Sequence, residues 1–342
     1  MTTLADLTTL RLGGPAGRVV VAEDERTLVD TVCTADAAGE AVLVVAGGSN
    51  LVVADAGFPG VVVLVRTKGV AVESDMCGGA YVTVAAGEEW DPFVARAGAE
   101  DWAGIECLSG IPGSVGATPV QNVGAYGQQV GDVLARVRTL DRVTGEQRTY
   151  MYADLGLGYR TSRFKAEPGR HLVLDVTFQL RSSAAGNPIA YTELARRLGV
   201  EVGGRAPLAD VRGAVLVLRR RKGMVLDPAD HDTWSAGSFF TNPLLPQGDA
   251  DRLPGDAPRW PADGGRVKTS AAWLIEHAGF AKGHGGPLVS LSTKHTLALT
   301  NRGGAHTSDL LALAREVRDG VRDRFGVVLE PEPTLVGCTL GG

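Results

Sequence analysis

The chain has 342 residues, of which 44% are hydrophobic and 21% are charged, and its formal net charge is −5. This composition is typical of a globular protein with two or three domains. The acidic balance argues against nucleic-acid binding, which needs a basic stripe, and no apolar stretch is long enough to cross a membrane.

The chain start and the cysteines predict a cytoplasmic protein. The N-terminus has neither the basic start nor the apolar core of a signal peptide. The cysteines show no CxxC pairing and no metal-ligand spacing, so we expect reduced thiols and no bound metal. These residues are Cys33, Cys77, Cys107 and Cys338.

The first hundred residues predict an α+β arrangement. Short β-branched or apolar runs predict strands, and apolar residues at helical spacing predict helices. Gly39 is the expected stop of the first helix. The predicted strands are 18–22, 41–45, 61–65 and 81–86, and the predicted helices are 25–38 and 91–99.

The remaining chain contains fewer clear elements. Ser270 and Ser308 are the expected N-caps of the last two helices, and residues 242–267, rich in Pro, Gly and Asp, predict a loop. A composition break at 182–188 indicates a domain boundary. The predicted strands are 137–141, 172–180 and 327–329, and the predicted helices are 211–222, 271–278 and one beginning after Ser308.

A first glycine loop, Gly47-Gly48-Ser49-Asn50, directly follows a predicted buried strand. Successive N–H groups in such a turn can bind an anion, and glycine lets a ligand approach the backbone. The loop matches neither the P-loop nor the dinucleotide fingerprint. An ordinary tight turn is an equally good interpretation of this loop alone.

A second glycine-rich stretch, 110–127, interleaves polar and apolar residues. A loop that wraps a flat ring and donates to its heteroatoms has this composition, although a glycine-rich core crossover would also fit. Two separated glycine loops in one α+β half predict an extended cofactor that has both a pyrophosphate and a ring.

Three later motifs could carry chemistry. Arg160, within Tyr159-Arg160-Thr161-Ser162, suits carboxylate recognition because guanidinium is a planar fork. Ser238 lies in a segment of small and aromatic residues without a hydrolase elbow, and Glu332 follows a predicted strand. Taken singly, each motif is more simply interpreted as a surface ion pair, a plain loop serine or a solvated carboxylate.

Together these motifs resemble the UDP-N-acetylenolpyruvoylglucosamine reductase family, in its longer variety with a tyrosine loop. The segments GIPGSVGATPVQNVGAYG, GYRTSRFK, AGSFFTNP and LEPEPTLVG occur in the family's order over nearly the whole chain. The resemblance implies an FAD-binding fold of the vanillyl-alcohol-oxidase type in two subdomains, followed by an α+β substrate-binding domain. The implied boundaries are 1–65, 66–183 and 184–342, with a possible return of the chain to the FAD domain at 325–342.

The resemblance also implies the site residues. Arg160 and Glu332 would stabilise developing charge on the substrate, and Ser238 would donate a proton. Tyr191 and Lys222 would bind nucleotide phosphates, with Asn242 and His295 supporting the substrate, whereas Arg219 to Arg221 would remain surface residues. The implied FAD-binding residues are Gly47, Gly48, Ser49, Asn50, Leu51, Gly110, Ile111, Pro112, Gly113, Ser114, Gly116, Ala117, Gln121, Asn122, Gly124, Ala125 and Tyr126.

The family's chemistry implies non-covalent FAD, NADPH as hydride donor and an enolpyruvyl ether of a UDP-sugar as substrate. Nothing in the sequence demands more than a monomer. The chain departs from the family at His295, where glutamine is frequent, and at extra residues around 230–232, between Lys222 and Ser238. Two other hypotheses are a sugar or alcohol oxidase of the same fold and a non-catalytic flavin-binding module.

Overall fold

The computed structural model describes residues 2–75 and 79–341, without the side chains of residues 74 and 75, so Cys77 lies outside the described residues. The described chain divides into two compact units, each built from separated segments. The larger unit comprises Gly17–Gly47 and Pro59–Val225, and the smaller unit comprises Met1–Ala16, Gly48–Phe58 and Leu226–Gly342. The division at 1–65, 66–183 and 184–342 stays a prediction.

The helices are short apart from three of them. They are α1 Glu25–Ala37, α2 Trp90–Ala99, α3 Arg163–Ala166, α4 Thr192–Leu198, α5 Leu208–Arg221, α6 Gln247–Asp251, α7 Ala271–His277 and α8 Thr307–Phe325. The strands are β1 Ala16–Ala22, β2 Val42–Val45, β3 Leu51–Val53, β4 Phe58–Val65, β5 Val70–Asp75, β6 Gly79–Ala85, β7 Trp102–Ala103, β8 Gly124–Ala125, β9 Gln128–Gln129, β10 Leu134–Asp141, β11 Glu146–Met151, β12 His171–Ser182, β13 Leu244–Pro246, β14 Arg259–Ala262, β15 Arg266–Thr269, β16 Val289–Leu291, β17 Leu299–Asn301 and β18 Thr334–Val336.

The larger unit contains two main sheets. One is antiparallel, in the order β11-β10-β12-β6-β5, with β7 paired to β12. The other has the order β1-β4-β2, and its strands β2 and β4 are parallel. Helix α2 packs on the first sheet through aromatic rings: Phe178 of β12 lies 6.0 Å from Trp90 and 5.4 Å from Phe93, between ring centroids. Burial of these rings anchors the chain that enters the second glycine stretch.

The smaller unit is organised around α8. Its apolar residues at i, i+3, i+4, i+7 and i+11 are all buried, as the sequence periodicity predicts; they are Leu310, Leu313, Ala314, Val317 and Val321. They belong to one core with Phe239, Phe240 and the β16–β17 hairpin. Strand β18 pairs in parallel with β3, which brings the end of the chain beside the strand that follows the first glycine loop.

The prediction of a loop at 242–267 is wrong. Strands β13, β14 and β15 form a small antiparallel sheet there, and α6 lies between two of them. Its strands are three or four residues long and mostly half-exposed or exposed. Such strands leave almost no periodic apolar signal, because few of their residues are buried.

Two predictions near α8 are also wrong. The helix begins at Thr307 with His306 as its N-cap, and the Asp55 carboxylate accepts the amides of Thr307 and Ser308 at 2.6 and 3.0 Å. Residues 327–329 are not a strand, although Val327 and Leu329 are buried and Val328 is exposed. Buried and exposed side chains alternate along this segment, but it pairs with no strand of the described chain.

Three other described features bear on the predictions. Ser270 caps α7, since its hydroxyl accepts the Trp273 amide at 3.2 Å. Cys33, Cys107 and Cys338 are free thiols. Among the described residues, no helix is long and apolar enough to span a membrane.

Candidate functional site

Gly47, the first residue of the first glycine loop, lies against the second glycine stretch within the larger unit. A Cβ on Gly47 would lie 2.6 Å from the Gly113 Cα, so a side chain at Gly47 would push the two backbones apart. The second stretch is fixed to the start of α2, because the Trp90 amide donates to the Gly113 carbonyl at 3.0 Å. Strand β2 therefore delivers Gly47 directly onto the second glycine stretch.

The second stretch is hydrogen-bonded to the residues that come directly after β6. The amide of Gly116 donates to the Ala86 carbonyl at 2.9 Å, and a Cβ on Gly116 would meet the Ala86 Cβ at 2.5 Å. The Val115 amide donates to the Glu88 carbonyl at 2.8 Å. The other predicted flavin residues of this stretch lie along the same backbone: Ile111, Pro112, Ala117, Gln121 and Ala125.

Asn122 holds the end of this stretch against the turn that carries Arg160. Asn122 is buried in the left-handed region, at φ +47°, which asparagine tolerates better than most residues. Its side-chain amide donates to the Gly158 carbonyl at 3.1 Å, and its side-chain oxygen accepts the Gly131 amide at 2.8 Å. The loop and the turn are thus one hydrogen-bonded assembly.

Arg160 joins the same assembly through its guanidinium. Nη2 donates to the Gly124 carbonyl at 2.6 Å, and Nη1 donates to the Asn122 carbonyl at 3.3 Å. Its own φ is +53°, a conformation that needs support from surrounding structure. Two carbonyls of the glycine-rich stretch therefore fix the orientation of the cationic fork.

Tyr126 lies between the two predicted phosphate-binding residues. Its ring meets the Tyr191 ring edge-on at 5.9 Å between centroids, and the Lys222 ammonium lies 5.6 Å from its centroid. Burial raises the pKa of Tyr126, and the nearby Lys222 opposes that shift. Tyr191, before α4, and Lys222, at the end of α5, are thus brought together although 31 positions separate them in the sequence.

Arg219 is not a surface residue, which corrects the expectation for the basic run. Its Nη2 donates to the Met224 carbonyl at 2.7 Å, while its enclosed Nε has no hydrogen-bond partner among the described residues. A Cβ on Gly110 would lie 3.5 Å from that Nε. Burial lowers the pKa of Arg219 to about 10. Arg220 and Arg221 are exposed, as expected.

Asp91 is a second residue of this region that the sequence did not indicate. Its carboxylate accepts the Gly110 amide at 2.6 Å and pairs with Arg212 at 2.6 and 2.9 Å. The pKa of Asp91 is lowered, because the hydrogen bonds from Arg212 and Gly110 together outweigh the effect of burial. The pair joins α2, α5 and the start of the second glycine stretch.

In the smaller unit, Ser238 and Glu332 are placed by a backbone ladder. The Phe239 amide donates to the Leu297 carbonyl at 2.7 Å, and the Phe239 carbonyl accepts the Glu332 amide at 2.8 Å. A further bond runs from the Thr241 amide to the Glu330 carbonyl at 3.0 Å. Phe239, the residue after Ser238, is therefore hydrogen-bonded on one side to the turn that contains His295 and on the other side to Glu332.

The first glycine loop continues into this ladder. The Asn50 carbonyl accepts the Thr334 amide at 2.9 Å, and the Asn50 side chain donates to the Glu332 carbonyl at 3.4 Å. Leu51 then begins β3. The smaller unit thus brings Asn50 of the predicted flavin loop beside the segment of Glu332.

Asn242 has a structural contact in addition to its predicted role. Its side-chain oxygen accepts the Ala271 amide at 3.0 Å, at the first residue of α7. Helix N-termini leave amides unpaired, and a side-chain oxygen satisfies them. Its contribution to the substrate site stays a prediction.

The extra residues near 230–232 hold the turn of His295. Buried Asp232 accepts the Thr293 amide at 3.0 Å and an Arg302 N–H at 2.8 Å, and its neighbour Asp230 pairs with Lys294. The pKa of Asp232 is lowered, since hydrogen bonds from the Thr293 hydroxyl, the Thr293 amide and Arg302 together outweigh burial. Residues 230–232 therefore connect to the His295 turn itself and to the residue that follows β17.

The larger unit's loop has features that fit the predicted FAD. The buried Ser114 hydroxyl oxygen has no hydrogen-bond partner among the described residues, and such a group is costly unless a ligand or water satisfies it. At Gly47 the backbone approaches Gly113 too closely for a side chain, which leaves bare backbone at this point of the loop. By contrast, no cluster of potential metal ligands occurs among the described residues.

Comparison with known proteins identifies two matching family models. The model described as UDP-N-acetylenolpyruvoylglucosamine reductase, C-terminal domain, matches residues 227–336. An FAD binding domain model matches residues 16–150, which include both glycine loops. The prediction of an FAD-binding domain is therefore confirmed, and the assignment of individual residues in the two loops to the flavin stays a prediction.

Relatives match along nearly the whole chain. The reductase of this name from Cutibacterium acnes is 57% identical over 341 residues, covering 98% of this chain and 90% of its own length. The one from Saccharopolyspora erythraea is also 57% identical, covering 98% and 95%. The crystal structure of the Thermus caldophilus enzyme superposes with a TM-score of 0.66 at 25% identity, covering 98% and 97%. The predicted α+β class with an FAD-binding fold is confirmed, and the chain belongs to the UDP-N-acetylenolpyruvoylglucosamine reductase family.

Proposed function

We propose that this chain reduces UDP-N-acetylenolpyruvoylglucosamine to UDP-N-acetylmuramate, with NADPH as reductant and non-covalent FAD, in cell-wall peptidoglycan precursor synthesis. The observation that carries the proposal is the backbone ladder at Phe239, which places the segments of Ser238 and Glu332 side by side. We further propose that the enzyme is a cytoplasmic monomer, divided at 1–65, 66–183 and 184–342, and that it binds neither nucleic acid nor membrane.

The two glycine loops would hold the cofactor. The backbone around Gly47 and Gly48 would take the pyrophosphate, and residues 110–126 would surround the ring. The Ser114 hydroxyl, enclosed and unpartnered among the described residues, would gain a partner when the cofactor is present. The chemistry that bound FAD would supply there is hydride transfer, from NADPH to the enol ether of the substrate.

Arg160 and Glu332 would stabilise the negative charge that hydride addition builds on the substrate carboxylate. The carbonyls of Asn122 and Gly124 hold the Arg160 fork before substrate arrives, and a preorganised donor stabilises a transition state without reorganisation. Glu332 would act as a hydrogen-bond donor, which requires its carboxyl group to be protonated.

Ser238 would donate the proton to the carbon next to the carboxylate. A serine hydroxyl is a weak acid, but the developing carbanion is a strong base and a short side chain can sit beneath it. The ladder bonds of Phe239 would fix the backbone from which the hydroxyl projects. Ser238 would therefore act through the position of its hydroxyl beneath the carbanion rather than through a high acidity of that hydroxyl.

Tyr191 and Lys222 would bind the nucleotide diphosphate, and Asn242 and His295 would support the sugar-enolpyruvyl part. Both phosphate-binding side chains contact Tyr126, which supports a common binding surface in the larger unit. His295 occupies a turn secured by Asp232 through Thr293.

The decisive experiment mixes the NADPH-reduced, FAD-loaded protein with the enolpyruvyl sugar nucleotide under anaerobic conditions in a stopped-flow spectrometer. We expect rapid return of the oxidised flavin absorbance and formation of UDP-N-acetylmuramate. If the reduced spectrum persists, the proposed function is wrong.

A further inference from the structure

Lys222 already forms an ion pair with a carboxylate of this chain. Its ammonium lies 2.7 Å from a carboxylate oxygen of Glu193, in the first turn of α4. Glu193 follows Tyr191 by two residues. The ion pair therefore connects the segment that contains Tyr191 to the side chain of Lys222, and both are proposed phosphate-binding residues.

The surroundings of this ion pair fix its place. Lys222 reaches Glu193 across the face of Tyr126, whose ring also contacts Tyr191. A Cβ on Gly127 would lie 2.7 Å from the Ala190 Cβ, so the chain entering α4 lies directly on the second glycine stretch. Lys222 and Glu193 are each partly exposed, with side-chain exposures of 38% and 49%. A solvent-borne anion can therefore reach the ammonium.

We propose that Glu193 is an affinity-setting residue that occupies Lys222 in place of the substrate's diphosphate. Binding of a nucleoside diphosphate would displace the carboxylate from the ammonium and release the first turn of α4. The inference rests on the proposed function, because it assumes that Lys222 binds the diphosphate.

Simple electrostatics gives the direction of the effect. A carboxylate and a phosphate are both anionic acceptors for one compact ammonium, so the first must be displaced or must share the cation against mutual repulsion. Either way, Glu193 opposes nucleotide binding and favours nucleotide release. Since exposed ion pairs are weak, removing the Glu193 charge should tighten binding by about 2- to 5-fold.

The test titrates UDP and uridine into the FAD-loaded protein and measures dissociation constants by calorimetry. The variants are Glu193→Gln, Lys222→Met and the double variant. Glu201→Gln is the matched control, because it removes the same charge from an exposed carboxylate shortly after the end of α4. Flavin content and thermal unfolding verify that each variant is folded.

We expect Glu193→Gln to bind UDP about 2- to 5-fold more tightly, uridine to be unaffected, and Glu201→Gln to match the parent. Lys222→Met should weaken UDP binding, and adding Glu193→Gln to it should have no further effect. A gain of affinity is informative because damage to the fold does not produce one.

The other outcomes separate the two proposals. If Lys222→Met weakens UDP binding but Glu193→Gln does not tighten it, the role of Glu193 is overturned and that of Lys222 stands. If Glu193→Gln tightens binding equally in the Lys222→Met background, general repulsion replaces displacement and the inference is wrong. If Lys222→Met leaves UDP binding unchanged, Lys222 does not bind the diphosphate, and both the Lys222 assignment and the inference fail.

Discussion

The amide of Glu332 donates to the carbonyl of Phe239 at 2.8 Å, so the carboxyl-bearing residue pairs with the backbone one position beyond Ser238. Ser238 and Glu332 are 94 positions apart in the sequence, and this bond places their backbones next to each other. Changes to either side chain can be made without removing this backbone bond, which makes both suitable for substitution.

Replacing Ser238 by alanine should separate the two halves of the reaction. We expect NADPH to reduce the flavin at nearly the parental rate, while substrate-dependent reoxidation slows by about 10²- to 10⁴-fold, since a positioned proton donor contributes that much. Single-turnover stopped-flow spectroscopy measures both rates. Ser308→Ala, at an exposed hydroxyl of the same unit, is the control. Equal slowing of both halves would refute the proton-donor role.

The Glu332 side chain should tolerate glutamine better than alanine. Glutamine retains a hydrogen-bond donor where a protonated carboxyl would donate, whereas alanine removes it, at a cost of about 10²- to 10³-fold in kcat. Steady-state kinetics of both variants measure the difference. Glu330→Ala, an exposed residue of the same segment, should remain active. Equal losses in the two Glu332 variants would argue against a protonated carboxyl.

Placing a methyl group on Gly47 should impair flavin binding. A Cβ there would lie 2.6 Å from the Gly113 Cα, so the two glycine segments must separate. We expect Gly47→Ala to be purified with much less FAD, measured by the ratio of absorbance at 450 nm to that at 280 nm. Gly98→Ala in α2, where a Cβ meets nothing within 4 Å, should retain FAD and gain about 0.5–1 kcal/mol of stability. Full flavin retention by Gly47→Ala would show that the contact is not needed.

Acid should weaken the fold through Asp141. Hydrogen bonds from Arg170 lower the pKa of this buried carboxyl to about 2, below its ordinary value of 3.8. A carboxyl with a depressed folded-state pKa stabilises the protein above its unfolded-state pKa and loses that effect as pH falls through the folded-state pKa. This contribution is therefore complete above about pH 4 and disappears towards pH 2.

Asp141→Asn should accordingly lower the free energy of unfolding by about 2 kcal/mol at pH 7. The difference between the variant and the parent should shrink between pH 4 and pH 2. Urea unfolding at several pH values measures this trend, with Asp30→Asn at an exposed site as the control. A difference that stays constant down to pH 2 would contradict the assignment.

The sequence predicted elements well where burial is one-sided and regular. Helix α8 is an example, because each of its repeated apolar positions faces a core. The sheet of β13, β14 and β15 was missed, since its residues are largely exposed and have no such period. Long-range pairing, such as that of β18 with β3, leaves no local pattern to detect.

For the candidate site, the motifs predicted residues but gave no sign of the contacts that support them. Arg160 and Ser238 stand in recognisable segments, whereas Glu193 is an unremarkable helix residue whose importance comes from reaching Lys222. Arg219 was misassigned because a basic run is usually solvated, and only the fold reveals that its first member lies against Gly110. Burial of a charge depends on tertiary contacts that spacing does not encode.

The hydrogen bond between Asn50 and Glu332 also constrains when the protein can complete its folding during synthesis. Its partners are 282 positions apart, so a ribosome must complete nearly the whole chain before this contact can form. All residues of the larger unit emerge before residue 226, whereas the smaller unit needs segments from both ends. At about 5–20 residues per second, the early segments wait for roughly 15 to 60 seconds. A nascent chain released before β18 would therefore lack Glu332 in place, however well its earlier parts had folded.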